Sequence, residues 1–129
     1  MQQRRFNLNH VRLLIGLASV LASTLGFASQ KLIDDVSHHF ADNDGVKIHY
    51  VKTGRGPLVV MIHGFPDFWY GWRAQMEALK DNFTVVAMDQ RGYNLSGQPD
   101  GIAAYAMPNL IADVATVVAA EGNDKATIV

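Results

Sequence analysis

Five consecutive apolar residues, Leu58-Val59-Val60-Met61-Ile62, stop abruptly at His63-Gly64-Phe65-Pro66, and an aromatic segment follows. A short unbroken apolar run is typical of a strand covered on both faces. The turn after it falls where a parallel sheet offers backbone N–H groups to a ligand. Trp69, Trp72, Met76 and Leu79 recur at helical spacing, and Asp67 is placed to cap the start of that helix. Thr84-Val85-Val86-Ala87-Met88 predicts a second buried strand, closed by Asp89-Gln90-Arg91-Gly92. A polar loop then runs to Ala104. Leu110, Ile111, Val114, Val117 and Val118 mark one face of a further helix, with Pro108 in its first turn. Asn123-Asp124 breaks that helix, and Lys125 to Val129 reads as a third buried strand.

Upstream, His38-His39-Phe40-Ala41 and Val46-Lys47-Ile48-His49-Tyr50-Val51-Lys52 predict two strands around Asn43-Asp44-Gly45, residues that tolerate a left-handed turn. Val46, Ile48 and Tyr50 alternate with Lys47, His49 and Lys52, which predicts a half-buried edge strand. Gly54-Arg55-Gly56-Pro57 is a loop, and Pro57 can only start the next strand. The sum is a hairpin followed by β-α-β-α-β. That order calls for an α/β fold with a mostly parallel sheet, flanked by helices and joined by right-handed crossovers.

Composition narrows this picture. A hydrophobic content of 49% and a mean hydropathy of +0.05 suit a globular core rather than disorder. A net charge of −1 gives no electrostatic case for binding nucleic acid. Without cysteine in these 129 residues there is no disulfide, no thiolate zinc ligand and no thiol nucleophile among them. At the start, Arg4, Arg5, His10 and Arg12 precede an uncharged run from Leu13 to Ala28 that ends in Gly26-Phe27-Ala28. Residues 1–28 are therefore expected to form a signal peptide for secretion or periplasmic export, with an uncleaved membrane anchor as the alternative. Residues 29–129 form the remaining domain.

The candidate chemistry centres on His63-Gly64-Phe65-Pro66. A turn at the carboxyl end of a central strand can aim the Phe65 N–H at an oxygen that gains negative charge, with Gly64 allowing close backbone approach and Pro66 fixing the exit. The tetrapeptide, with Asp67-Phe68-Trp69-Tyr70-Gly71-Trp72-Arg73 after it, resembles the oxyanion-hole turn of α/β-hydrolases in its epoxide hydrolase form. Met88-Asp89-Gln90-Arg91-Gly92-Tyr93-Asn94-Leu95-Ser96 is similar to that family's Asp-x-Arg-Gly-x-Gly-x-Ser, with Asn94 in place of a glycine. The similarity runs from about Phe40 to Val129. It implies the N-terminal part of an α/β-hydrolase fold, with the Phe65 N–H as one oxyanion donor. It further implies an aspartate nucleophile on a Gly-x-Asp-x-Gly elbow, opening an epoxide to an ester that a histidine-activated water cleaves. His63, Gly64, Phe65, Pro66 and Trp69 are the expected substrate-binding residues, and a small apolar epoxide is the implied substrate. No cofactor and no metal is implied. Tyr50, Tyr70, Tyr93 and Tyr105 do not match the family's two acid tyrosines.

Plainer roles stand beside these. His63 can order its turn without touching substrate, and Trp69, Trp72 and Met76 can be simple helix packing. The resemblance makes Asp89 a structural partner of the Arg91-Gly92 loop, with Arg91 its ion-pair or loop-ordering mate. His38 and His39 point to opposite faces of a strand and cannot share a metal, and His49 has no carboxylate neighbour in sequence. Gly54-x-Gly56 precedes its strand and is no dinucleotide fingerprint. Haloalkane or haloacetate dehalogenases and esterases share the implied fold, and a non-catalytic remnant or binding module is the rival of a different class. The nucleophile, base and cap that the resemblance implies are not among these residues, so the chain is expected to be an inactive piece of a longer enzyme. The intact mass of the mature natural protein checks this. A value well above 14.2 kDa is expected, whereas one at or just below it would leave the hydrolase resemblance as ancestry only.

Overall fold

The computed structural model describes residues 35–129, and the leader expected at residues 1–28 lies outside them. The leading hairpin forms as the alternation predicts. Strand β1 (Ser37–Asn43) pairs antiparallel with β2 (Val46–Gly54). Asp44 (φ 50°) and Gly45 (φ 86°) make the two-residue connection, and both central residues are left-handed as the twist of the strands requires. Strand β3 (Leu58–Ile62) follows, then a 3-10 helical turn (Trp69–Trp72) that runs into α1 (Arg73–Leu79). Strand β4 (Thr84–Met88), a second 3-10 turn (Ile102–Tyr105), α2 (Met107–Ala120) and β5 (Thr127–Ile128) complete the order. Among the described residues no helix is long and apolar enough to cross a membrane.

The sheet has the order β1-β2-β4-β3-β5. It is mixed: β2 meets both β1 and β4 antiparallel, while β3 lies parallel to β4 and β5. The period of two along each strand divides the core. Ile48, Tyr50, Leu58, Val60, Val86 and Met88 pack on one face with Val117 of α2, and Val51, Val59, Met61, Val85 and Ala87 pack on the other with Trp69 and Met76. Three expectations change here. β2 is an inner strand rather than a half-buried edge, because β1 closes its outer side, and His49 is fully buried. Ile111, expected on the packed face of α2, is 62% exposed, while Asp113 two residues on is buried. β5 forms within the expected segment, but it is not buried: Thr127 and Ile128 are exposed, with only β3 beside them among the described residues.

Two helix ends also differ from the sequence reading. Asp67 does not cap α1; its Oδ1 accepts the N–H of Phe68 next to it (2.8 Å), and the following turn has no side-chain cap. α2 is closed by Gly122 (φ 71°) rather than by Asn123-Asp124. The Gly122 and Asn123 N–H groups turn back to the carbonyls of Ala119 and Val118. Past that end, Glu121 accepts from Tyr50 Oη and Lys52 Nζ, each at 2.8 Å. Burial and the Glu121 carboxylate both push the Tyr50 hydroxyl up from its ordinary value.

A buried ion pair ties the loop after β4 to both α2 and the hairpin. Arg91 grips Asp113 with two hydrogen bonds of 2.6 Å, and Asn43 of β1 donates to the same carboxylate at 2.8 Å. A further Arg91 nitrogen donates to the carbonyl of Ala104 (2.7 Å). Arg91 therefore orders its loop, but its ionic partner is Asp113 and not Asp89. Removing one member of a buried pair strands the other's charge. Asp113→Ala is expected to destabilise the fold by about 3–5 kcal/mol. Denaturant unfolding checks this, and a loss no larger than that of a surface substitution would contradict it.

Candidate active site

The carboxyl ends of the parallel strands β3 and β4 lie side by side, with Ile62 opposite Met88. Their outgoing segments form the site. From β3 the chain enters His63–Asp67, where the Phe65–Pro66 peptide is cis and the Asp67 N–H returns to the Gly64 carbonyl (3.2 Å). The Asp67, Phe68 and Trp69 N–H groups all have acceptors, whereas those of Gly64 and Phe65 have none among the described residues. The Phe65 side chain is 85% exposed at the tip of the turn.

His63 is buried, and its hydrogen bonds define its protonation. Nε2 accepts the Gln90 N–H at 3.1 Å, so the proton lies on Nδ1, which donates to the Gly64 carbonyl at 2.8 Å. The imidazole is thus occupied at both nitrogens in ordering the turn, the plainer of the roles read from sequence. Gln90 also holds the His63 carbonyl through its side-chain amide. The Tyr93 ring meets the imidazole edge-on, with centroids 4.9 Å apart.

Asp89 is the second element. Its buried carboxylate accepts from the Trp69 N–H on Oδ1 (2.9 Å), and from His49 Nδ1 (2.6 Å) and Asn94 Nδ2 (2.7 Å) on Oδ2. Burial alone would push this carboxyl up. The donors from His49, Trp69 and Asn94 outweigh it, and the net direction is down from 3.8. Ser96 completes the knot, donating to the Asp89 carbonyl (2.7 Å) and accepting the His49 N–H (2.9 Å). His49 therefore does have a carboxylate partner, 40 residues away in sequence. Its Nε2 meets His38 Nδ1 at 2.9 Å. Asn94 takes a left-handed conformation (φ 44°), and its amide uses that position to reach Asp89.

Of the expected substrate-binding residues, the structure brings His63, Gly64, Phe65 and Pro66 into one turn. Trp69 is only 6% exposed, with its indole in the core against His38 and Tyr70, so it serves this turn through its backbone. A Cβ at Gly64 would meet nothing within 4 Å, so no neighbour among the described residues demands glycine there. A shallow apolar hollow of about 220 Å³ lies beside the turn, lined by Ile62, Gln90, Met107, Leu110, Ile111 and Val114 rather than by the turn itself. Sequence reasoning missed Gln90, His49 and Asp113, whose partners are distant along the chain. Among the described residues no group of three or more His, Cys, Asp or Glu side chains could hold a metal ion.

A mixed sheet turning parallel at β3, with an amide-presenting turn at the strand ends, defines a hydrolase scaffold of the α/β class. The family model described as alpha/beta hydrolase fold matches residues 57–129, and the chain belongs to that family. It is 41% identical over 100 residues to the AB hydrolase superfamily protein YfhM of Bacillus subtilis, covering 75% of this chain and 35% of that protein. It is 45% identical over 86 residues to epoxide hydrolase 1 of Caenorhabditis elegans, covering 65% of this chain and 21% of the relative. An epoxide hydrolase structure from an endophytic Streptomyces superposes with a TM-score of 0.71 at 42% identity, covering 73% of this chain and 29% of that one. The chain thus spans about a third or less of the length of these relatives.

The lowered Asp89 carboxyl carries a pH signature. A depressed folded value contributes stability that is complete above the unfolded value of 3.8 and is lost as pH falls through the lower folded one. Asp89→Asn turns an amide towards donors that need an acceptor, at a cost on the order of 3 kcal/mol near neutral pH. The gap between wild type and variant in urea unfolding is expected to narrow below pH 3.8. A gap independent of pH would show that the charge of Asp89 is not what holds the knot.

Proposed function

We propose that residues 35–129 form the N-terminal part of an epoxide hydrolase, and that the Phe65 N–H is one donor of its oxyanion hole. The observation that carries this reading is the Phe65 amide, without an acceptor among the described residues, on a turn anchored by Asp89 and Gln90 beside the ends of two parallel strands. The epoxide hydrolases among the relatives support the substrate class. In the proposed reaction a carboxylate attacks one epoxide carbon, the C–O bond breaks, and the freed oxygen takes up a proton. Water then hydrolyses the resulting ester to a diol. That second step gathers negative charge on the ester carbonyl oxygen, where a preorganised N–H is worth most. The substrate is a small apolar epoxide. The basic and then apolar start of the chain supports export of the protein.

Residues 1–129 contain no Gly-x-Asp-x-Gly or Gly-x-Ser-x-Gly elbow, and the 129-residue polypeptide alone is expected to turn over no epoxide. Protein expressed from the complete reading frame is expected to convert styrene oxide to its diol. In heavy-oxygen water a single turnover should give unlabelled diol, because the first oxygen delivered comes from the carboxylate. Label in that first product would overturn the ester mechanism. Release of halide from a haloalkane without diol formation from epoxides would overturn the substrate class.

A further inference from the structure

We propose that His49 is a positioning residue for the anion-binding turn, holding the Asp89 carboxylate on the Trp69 N–H and thereby fixing where the Phe65 N–H points. The turn from His63 to Trp69 is gripped at its two ends by two consecutive residues. Gln90 holds its start, donating its own N–H to His63 Nε2 and its side-chain amide to the His63 carbonyl. Asp89 holds its end through the Trp69 N–H. Between these anchors, Asp67 makes the turn's own internal bond to Gly64, which does not tie the segment to the sheet. The Gly64 carbonyl lies in the same peptide plane as the Phe65 N–H and accepts from the His63 ring (2.8 Å). The direction of that amide therefore depends on the Gln90 anchor through His63 and on the Asp89 anchor through the Asp67–Trp69 end of the turn.

The Gln90 anchor is supported by the His63 ring and by the peptide backbone. The Asp89 anchor depends on a carboxylate that can swing about its side-chain torsions unless its second oxygen is also held. Two groups hold it. Asn94 does so from an exposed loop residue, whereas His49 does so from a fully buried ring on the neighbouring inner strand, over the shorter distance of 2.6 Å. The backbone of His49 is bound into the same knot. Its carbonyl accepts the Asp89 N–H at 2.9 Å, and its N–H donates to Ser96. The ring is thus carried on a strand paired on both sides, and its loss leaves Oδ2 with the loop contact alone. The start of the turn would stay in place while its end loosens. An oxyanion donor works over a narrow range of distance, and a displacement of about 1 Å can cost on the order of a hundredfold in rate.

The consequence for catalysis rests on the epoxide hydrolase reading, but the positioning role does not, so the experiment has two readouts. In the complete protein, amide exchange at Trp69 reports the anchor, and exchange at Val86 in the central strand reports global opening. His49→Leu keeps an apolar side chain of similar bulk without a donor, whereas His49→Asn puts an amide N–H near the place of Nδ1. His49→Leu is expected to speed Trp69 exchange by about tenfold or more relative to Val86, with Asn restoring most of the protection. Epoxide turnover should fall about 10- to 100-fold in kcat with little change in KM for Leu, and recover in part for Asn. Trp69 and Val86 accelerating together, or Leu and Asn behaving alike, would overturn the proposal. If the Leu variant does not fold, nitrogen NMR of the wild-type ring decides: a slowly exchanging proton on His49 Nδ1 is required, and a ring protonated only on Nε2 would overturn it. Selective Trp69 exchange in a protein that opens no epoxide would sink the functional reading and leave the positioning role standing.

Discussion

A carboxylate with no access to water must find enough donors to replace its hydration, and much of this structure is arranged around that demand at Asp89. Its two oxygens collect a ring from β2, a backbone N–H from the start of the 3-10 turn, and an amide from the loop after β4. Each donor belongs to a different stretch of chain, so satisfying one group brings three segments into register. Any one bond contributes modestly. Leaving any of them unmade would bury an unmatched charge, and that asymmetry makes the arrangement specific.

The Arg91–Asp113 pair solves a similar problem on the other face of the sheet. It fastens the loop to α2, and Asn43 links the same carboxylate to the hairpin. Asp89 and Arg91 are two residues apart, and each serves a different layer. The loop that leaves β4 is in this way held from both sides of the sheet. Apolar packing accounts for the two core faces, while these buried polar groups decide how the connecting segments lie over the strand ends.

What could be read from the sequence was whatever depends on neighbours along the chain. The runs at Leu58–Ile62 and Thr84–Met88, the Asp44-Gly45 turn and the Pro108 helix start all follow from local periodicity and backbone preference. The position of β2 inside the sheet does not, because strand order is settled by which ladders close in space. The same reason hid the partner of His49: alternation marked the residue as polar and outward, and only the docking of Asp89 against it, with Trp69 against the neighbouring His38, makes that face interior. Asp67 misled because an Asp before a helical pattern has two acceptable uses, a cap or a bond to the next N–H, and the tight turn selects the second. At the site, the His63–Pro66 turn was legible as a motif, whereas the residues that hold it were not.

Because the two grips on this turn come from adjacent positions at the end of one strand, their separation is set by the backbone and barely varies. The segment between His63 and Trp69 is in effect a replaceable insert of fixed length. Phe65 at its tip faces solvent, whereas adding or deleting one residue would put the two ends out of step with their anchors. Such a scaffold can change what it presents to a ligand through side-chain identity while keeping the backbone donor where it was. Variation in recognition is thereby uncoupled from the geometry on which the chemistry depends.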